Sequence, residues 1–409
     1  MKCRFCGTRL MHEFIDLVNA PPSNSFLSAK ALNEPETFYP LKLYVCEECF
    51  LVQLDEYKKS DDIFSDEYIY FSSYSKTWLD HARNYTDMIC KRFGFDKDSF
   101  VIEIASNDGY LLQNFISRDI PCLGIEPSKK VAESAREKGI QVVNRFFDSD
   151  LAKSLSGEGK RADLLIGNNV LAHVPDINDF VAGLKLCLNE GGVITLEFPH
   201  LMQLVENKQF DTIYHEHFSY LSLLTTQRIF SRHGLSLFDV EELETHGGSL
   251  RVYLKHTDDQ LKQIAPAVSA LIQMEESKGM RHIEYYQGFQ EQANRVKYEL
   301  LTFLVEKKRA GETVVAYGAA AKGNTLLNYC GVKKDLVEFV VDVSPYKQGK
   351  SLPGSHIPVD AENKIRDRKP DYVLILPWNI KEEIMEQLSY ISNWGGKFVL
   401  PIPDLKIMP

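Results

Sequence analysis

Phe100-Val-Ile-Glu-Ile-Ala-Ser-Asn-Asp-Gly109 is an apolar run that ends abruptly in small and polar residues. The run has the length and composition of a buried strand, and its end has the composition of a strand-to-helix turn. Tyr110-Leu-Leu-Gln-Asn-Phe115 continues with helical character, and the same alternation then repeats. Cys122-Leu-Gly-Ile-Glu126 is a second strand, Pro127 to Lys138 a helix, and Gly139 its stop. Gln141-Val-Val143, Ala162-Asp-Leu-Leu-Ile-Gly167, a helix near 177–188 and Val193-Ile-Thr-Leu-Glu-Phe198 carry the pattern on. A β-α repeat of this kind predicts an α/β fold with a parallel, doubly wound sheet. Leu235 to Val240 and Ser249 to Leu254 read as two longer strands that close the edge of that sheet as an antiparallel hairpin.

Working outward, residues 258–310 are rich in Gln, Glu and Lys at helical spacing, with one early Pro266, and read as long helices. A second β-α series begins at Thr313-Val-Val-Ala-Tyr-Gly318. It continues through a helix over 320–328, Val337 to Asp342, Asp371 to Leu376 and Lys397 to Leu400, as in a smaller Rossmann-like unit. At the other end stand Cys3-Arg-Phe-Cys6 and Cys46-Glu-Glu-Cys49. Each pair supplies two thiolates from a tight turn, and four together suit a tetrahedral structural zinc with no open position for catalysis. Two disulfides are the competing reading, which a reducing compartment disfavours. The segment between the pairs implies an inserted loop at Pro21-Pro22-Ser-Asn-Ser. Three domains are therefore expected: 1–66, 67–256 and 257–409.

The bulk numbers agree with a soluble multidomain protein. The chain has 409 residues, 44% of them hydrophobic and 25% charged, with a formal net charge of −10. The acidic balance argues against a broad nucleic-acid surface. No apolar run has the length of a membrane span and Met-Lys-Cys-Arg-Phe-Cys lacks the apolar core of a signal peptide, so a cytoplasmic protein with no membrane partner is expected. No protein partner is predicted. Cys90, Cys122, Cys187 and Cys330 sit mostly among apolar residues and read as small core residues.

Three places carry chemistry. At the first βα turn, Glu103, Ala105, Ser106, Asn107 and Gly109 let a ligand approach the backbone, and Glu126, followed by Pro127, ends the next strand where an acid can accept both hydroxyls of an adenosine ribose. Dinucleotides and S-adenosylmethionine both fit this plan, and an ordinary turn competes with them. The missing GxGxxG, which would cradle a pyrophosphate, favours the phosphate-free S-adenosylmethionine. Asn168 and Asn169, then Val170 to His173, follow the fourth strand, where His173 can touch cofactor or substrate or be structural. Tyr214-His215-Glu216-His217-Phe218 is open to three readings: a metal site, which lacks a third ligand; a histidine base with Glu216 and Tyr214 in support; or a polar turn. Finally, Gly318-Ala-Ala-Ala-Lys322-Gly323-Asn324 opens a helix with a cation, Lys347-Gln348 add polar groups, and Trp378-Asn379 can stack on and bond to a base. Together they favour a phosphorylated, nucleotide-bearing ligand.

These strings, in this order, resemble one family. The two CxxC pairs, Glu103 to Gly109, Asn168 to His173, Glu197-Phe-Pro-His200, Tyr214 to Leu221, Thr245-His-Gly-Gly-Ser-Leu-Arg251 and Gly318 to Gly323 are similar to the sugar C-methyltransferases of unusual deoxysugar pathways, typified by the tetronitrose and mycarose carbon-3 methyltransferases. The resemblance spans essentially the whole chain. It implies a zinc-binding domain, an S-adenosylmethionine domain and a Rossmann-like domain for a nucleotide-linked 4-keto-6-deoxy sugar, thymidine by default and guanosine as the alternative. It implies His217 as the base, with Tyr214, Glu216, His173 and Tyr68 around it. His200 and Arg251 join Lys322, Gly323, Asn324, Lys347, Gln348, Trp378 and Asn379 as candidate substrate contacts. The rival readings are a zinc-ribbon methyltransferase acting on RNA, a non-catalytic nucleotide-sugar binder, and a nicotinamide-linked sugar epimerase or dehydrogenase.

Overall fold

The computed structural model describes residues 1–57, 71–74 and 76–409. Strands β1 (His12–Ala20), β2 (Tyr39–Val45) and β3 (Val52–Leu54) form an antiparallel sheet beside the two CxxC turns. Leu41, Leu43 and Val45 alternate inward along β2, as expected for a half-buried strand. The other side of this unit rests on the helix Phe289–Arg309, where the Phe14 ring stacks on Phe289 at 4.8 Å.

The central sheet holds β4 (Val101–Ile104), β5 (Cys122–Ile125), β6 (Gln141–Val143), β7 (Ala162–Asn168) and β8 (Leu188–Pro199), all parallel. The chain then leaves it. β9 (Ser219–Tyr220) pairs with β3 of the N-terminal sheet, so the segment carrying Tyr214 to Phe218 is tied to both units. It returns as β10 (Leu235–Leu243) and β11 (Ser249–His256). The full order is β10-β11-β8-β7-β4-β5-β6, with β11 antiparallel to both of its neighbours. The edge hairpin expected from the sequence is therefore present. Strand order reverses at β4, and the crevice above β4 and β7 is where an open α/β sheet binds ligands. The helix expected from Tyr110 begins only at Leu112, because Asn107 and Gly109 hold φ of 48° and 77°, outside helical space.

Two helices follow. Pro266–Ser277 has Pro266 in its first turn, where a missing N–H costs nothing. Its Glu275 is fully buried and accepts the N–H groups of Leu223 and Leu224 at 2.7 and 2.8 Å, capping the helix Leu223–Arg232. The third sheet comprises β12 (Val314–Tyr317), β13 (Val340–Val341), β14 (Val359–Asp360), β15 (Tyr372–Ile375), β16 (Lys397–Leu400) and β17 (Lys406–Met408). Its order is β14-β13-β12-β15-β16-β17, parallel except for β17. The order reverses at β12, so this sheet has a crevice of its own, at the start of the helix Ala321–Cys330. The loop after β1 crosses the molecule: Leu27 bridges Ser351, and Asn324 donates to the Ser23 carbonyl at 2.9 Å. Among the described residues no helix is long and apolar enough to cross a membrane.

Candidate active site

The turn after β4 is held open by backbone geometry. Ala105 joins Asn107 and Gly109 at positive φ, 55°, and the loop folds back over the end of β5. There Glu126 accepts the Asn107 N–H on one carboxylate oxygen at 3.0 Å and the Ser128 N–H on the other at 2.8 Å, beside Pro127. Burial pushes the Glu126 carboxyl up to about 7. Burial also raises Glu103 well above the ordinary range, with Asp108 and Glu126 adding repulsion. Around this crevice Glu103 Oε2, Ser106 Oγ, Asp108 Oδ1, Ser128 Oγ, both side-chain atoms of Asn168 and Asn169 Oδ1 are buried without a hydrogen-bond partner among the described residues. Native structures leave few such atoms, so a cluster of them at a ligand crevice marks where a bound molecule completes the bonding. The set is dominated by acceptors and acids, and it fits a ligand offering hydroxyl and ammonium groups. Gly109 has a different role: a Cβ there would lie 2.1 Å from Ile140 Cδ1, so it packs against protein.

The Tyr214 cluster faces this crevice from β9. It is a turn, closed by the His217 N–H on the Tyr214 carbonyl at 3.0 Å and anchored by the Phe218 N–H on Ala172. Its side chains diverge. His215 packs edge-on against Tyr39 at 5.8 Å, and the Asn24 amide donates to the Glu216 carboxylate at 2.7 Å, both on the N-terminal side. His217 turns the other way, with its ring 4.1 Å from Tyr214 and 4.6 Å from His173. The partner that orients it is the Thr212 carbonyl, which accepts Nδ1–H at 3.1 Å and leaves the lone pair on Nε2. His173 likewise gives Nδ1–H to the Glu216 carbonyl at 2.8 Å. Burial, with His173 next, lowers His217 well below the usual range, and burial takes His173 down to about 4. Both rings are neutral at pH 7. Tyr68 lies outside the described residues.

The C-terminal candidates divide. Lys322 donates to Asn379 Oδ1 at 2.6 Å and sits 4.6 Å over the Trp378 ring, and its charge is felt at His217 and His246. Trp378 is itself buried and gives its indole N–H to Asp211 at 2.7 Å. Asp211 is pushed up to about 6 by burial, against the pull of Lys322. Lys347 donates to the Ala319 carbonyl at 2.9 Å and Gln348 to the Asp342 carbonyl at 2.8 Å, both at the mouth of the third sheet. Asn324 is bonded to the N-terminal loop, and a Cβ on Gly323 would meet Leu376 at 2.7 Å. The side chains of His200 and Arg251 are engaged by protein: His200 with buried Glu275 at 2.7 Å, Arg251 with Glu197 at 2.6 Å and Glu241 at 2.8 Å. In the N-terminal unit, the four thiols of Cys3, Cys6, Cys46 and Cys49 lie within 4.8 Å of one another. A tetrahedron of sulfurs about 2.3 Å from zinc has edges of about 3.8 Å, which the cluster matches closely enough to hold the ion.

A model described as "C-methyltransferase C-terminal domain" matches residues 244–403, a "Methyltransferase domain" model matches 78–240, and a "Putative zinc binding domain" model matches 3–64. The C-methyltransferase NovU of Streptomyces niveus is 31% identical over 407 residues, covering 100% of this chain and 96% of the relative. The chain belongs to the C-methyltransferase family. This is the family its sequence strings resemble. Among solved structures, an S-adenosylmethionine-dependent methyltransferase from Clostridium acetobutylicum aligns with 44% of this chain and 92% of its own at 13% identity and a TM-score of 0.36. The glycopeptide N-methyltransferase MtfA complexed with (S)-adenosyl-L-methionine covers 43% and 93% at 12% identity and 0.34. Scores of that size assign neither substrate nor cofactor.

The C-methyltransferase also brings to the site residues that pattern reasoning passed over. Trp78 stacks on His81 at 4.8 Å, His81 pairs with Glu197 at 2.9 Å, and Trp78 lies 5.2 Å from His246. Asp211 and Thr212 precede the cluster and hold Trp378 and His217. Trp78 and His81 lie on a helix three residues apart, a spacing that shares a face, and this was the available signal. Nothing local marks Thr212, which acts through its carbonyl.

Proposed function

We propose that this C-methyltransferase adds a methyl to carbon 3 of a nucleotide-linked 4-keto-6-deoxy sugar, with S-adenosylmethionine as donor, His217 as base and a structural zinc on the four N-terminal cysteines. The observation that carries this reading is the neutral His217, fixed by the Thr212 carbonyl with its Nε2 lone pair available and packed between Tyr214 and His173. A proton on carbon 3 is acidic because the carbon 4 ketone takes up the charge. His217 Nε2 accepts that proton, the C–H electron pair shifts into the C3–C4 bond, and the carbonyl electrons move onto the carbon 4 oxygen. S-adenosylmethionine, when bound, would supply an electrophilic methyl: carbon 3 takes it as the enolate returns to the ketone, and the methyl–sulfur bond breaks with its electrons left on S-adenosylhomocysteine. The His173 ring, with Nδ1–H committed to a carbonyl, bears a lone pair on Nε2 and is a poor donor to the enolate. Tyr214, in contact with His217, is the donor this arrangement favours.

On the donor side, the acceptors left unpartnered above β4 and β7 suit the ribose hydroxyls and ammonium of S-adenosylmethionine, with Glu126 at the ribose. Lys322 with Asn379, and Lys347 with Gln348, supply the polar surface for the nucleotide, thymidine or guanosine diphosphate. His200 and Arg251, bonded to buried carboxylates, have no part in this proposal.

Solvent deuterium exchange at carbon 3, followed by mass spectrometry on a panel of nucleotide 4-keto sugars, tests it. The wild type is expected to exchange and, with donor present, to add one methyl to one member of the panel. His217→Asn is expected to lower exchange by about 10²- to 10⁴-fold, the usual weight of a general base. Exchange at the wild-type rate removes His217 from the role.

A further inference from the structure

The loop Thr245-His-Gly-Gly248 lies at the joint between the central and C-terminal units. Gly247 and Gly248 have φ of 90° and 113°, and a Cβ on Gly247 would lie 2.4 Å from the Trp378 ring. Gln209 donates to the Gly247 carbonyl at 2.7 Å, and the Gly248 carbonyl accepts the His200 N–H at 3.0 Å. Between these anchors His246 is forced to φ 56°, a left-handed conformation that costs a non-glycine residue energy and persists only where the surroundings impose it. The result is that its imidazole points across the crevice to the end of β7. There Asn169 also has a left-handed backbone, φ 54°, with its N–H held by the Glu197 carbonyl at 2.7 Å. Its side-chain nitrogen lies 3.4 Å from His246 Nε2.

We infer that His246 is a positioning residue for the methyl donor: its Nε2 accepts from the Asn169 amide and so turns the Asn169 oxygen into the donor crevice. An asparagine amide has two ends of opposite polarity, and whichever partner takes one end decides where the other points. Because the His246 ring holds the NH₂ end, Asn169 Oδ1 is the end left facing the crevice, and it is buried without a partner among the described residues. Asn168, its neighbour, is 8% exposed and has both side-chain polar atoms unpartnered in the same region. An acceptor in that place suits the cationic groups of S-adenosylmethionine, its ammonium and sulfonium. The arrangement requires a neutral imidazole, since a protonated one has no lone pair to offer. Burial, with Lys322 next, lowers His246 to about 4, so the ring is neutral at pH 7. Trp78 at 5.2 Å covers the ring on the donor side, and Trp378 closes the loop behind it. The same loop therefore touches the C-terminal unit and orders a donor-side amide, with no side chain of its own in the proton transfer.

This inference rests on S-adenosylmethionine being the donor, and the experiment separates the two. Asparagine tolerates left-handed φ, so His246→Asn keeps the loop conformation while its short side chain cannot reach the Nε2 position. His246→Gln places an amide oxygen near that position and restores the acceptor. S-adenosylmethionine affinity is measured by titration calorimetry on the full chain, with steady-state KM for donor and acceptor. In His246→Asn the donor Kd and KM are expected to rise about tenfold, the scale of one hydrogen bond with a buried partner exposed, while the acceptor KM stays within about twofold. In His246→Gln both donor values are expected to return to within about threefold of wild type. Asn169→Ala is expected to weaken the donor comparably, and combining it with His246→Asn is expected to add little. Wild-type donor affinity in His246→Asn, failure of the Gln variant to rescue, or additive losses in the double variant each overturn the inference. No donor binding by the wild-type chain overturns the underlying reading instead.

Discussion

His217, His173 and His246 are all held neutral by the ground they occupy. Burial is the largest cause at each, and the hydrogen-bonding carbonyls at His217 and His173 only partly oppose it. For the proposed role of His217 as base this means a ring already deprotonated at neutral pH. The acid limb of kcat/KM that belongs to His217 is expected below pH 6.5, and a limb at or above the ordinary histidine value would contradict the assignment. For stability the sign follows from linkage. A histidine whose folded pKa is depressed binds fewer protons folded than unfolded, so its full stability is present above 6.5 and is lost as pH falls from there toward the folded value. His173 and His246, each lowered from 6.5 to about 4, are expected to cost about 2 kcal/mol apiece by pH 5. Urea midpoints at pH 7 and pH 5 measure this, and His173→Gln is expected to shrink the difference by about that amount. The individual residue types were legible in the sequence. Their charge state was not, because it depends on desolvation by residues distant in the chain. Glu216 illustrates the same limit: adjacency to His217 suggests a carboxylate–histidine pair, whereas the fold gives His217 to Thr212 and the Glu216 carboxylate to Asn24.

At the scale of elements, local pattern was enough for most of the molecule. The strands β4, β5, β12, β13, β15 and β16 lie within the apolar runs that announce them, and β7, β8, β10 and β11 contain theirs and run past it. Periodicity reads such runs well because a strand covered on both faces must be apolar throughout. It passed over β1, β2 and the helix Lys76–Phe93, each buried on one face only, and elements that are short or strained. β9 is two residues long and exists because β3 offers it an edge, and the turn after β4 delays its helix through three positive φ values. Gly109 is the residue on which that turn depends. Gly109→Ala adds a methyl 2.1 Å from Ile140 to a backbone at φ 77°, and a loss of about 1–3 kcal/mol is expected from overpacking alone. Glu275 is the comparable point in the helical segment. Glu275→Ala strips His200 and two helix N-terminal N–H groups of a buried partner, and about 3–5 kcal/mol is expected. Denaturant unfolding of the full chain checks both.

For the whole molecule, the decisive feature is that three units converge on one turn. β9 fastens the Tyr214–Phe218 segment to the four-cysteine unit, Asn24 reaches it from the loop after β1, and Thr325 of the third unit donates to the Ile213 carbonyl at 2.8 Å. The four-cysteine unit is thus packed against the segment that carries His217, the proposed base. Removing the ion with a chelator is expected to abolish methyl transfer while the central sheet stays folded, with the loss read by activity and the sheet by donor binding. Asn24→Ala leaves the Glu216 carboxylate without this donor, and kcat is expected to fall about tenfold with at most about 1–2 kcal/mol of stability lost.

The amino-acid sequence by itself determined the element types, the two β-α series, the four thiols in register for a metal and the family to which the chain belongs. These are encoded in spacings of a few residues, where periodicity and turn chemistry act. Only the tertiary structure decided which neighbour each polar group faces: Thr212 for His217, Asn24 for Glu216, Glu275 for His200, Asp211 for Trp378 and Asn169 for His246. The physical reason is that a buried polar group must find a partner wherever the fold brings one within bonding distance, and most of these partners lie far away along the chain.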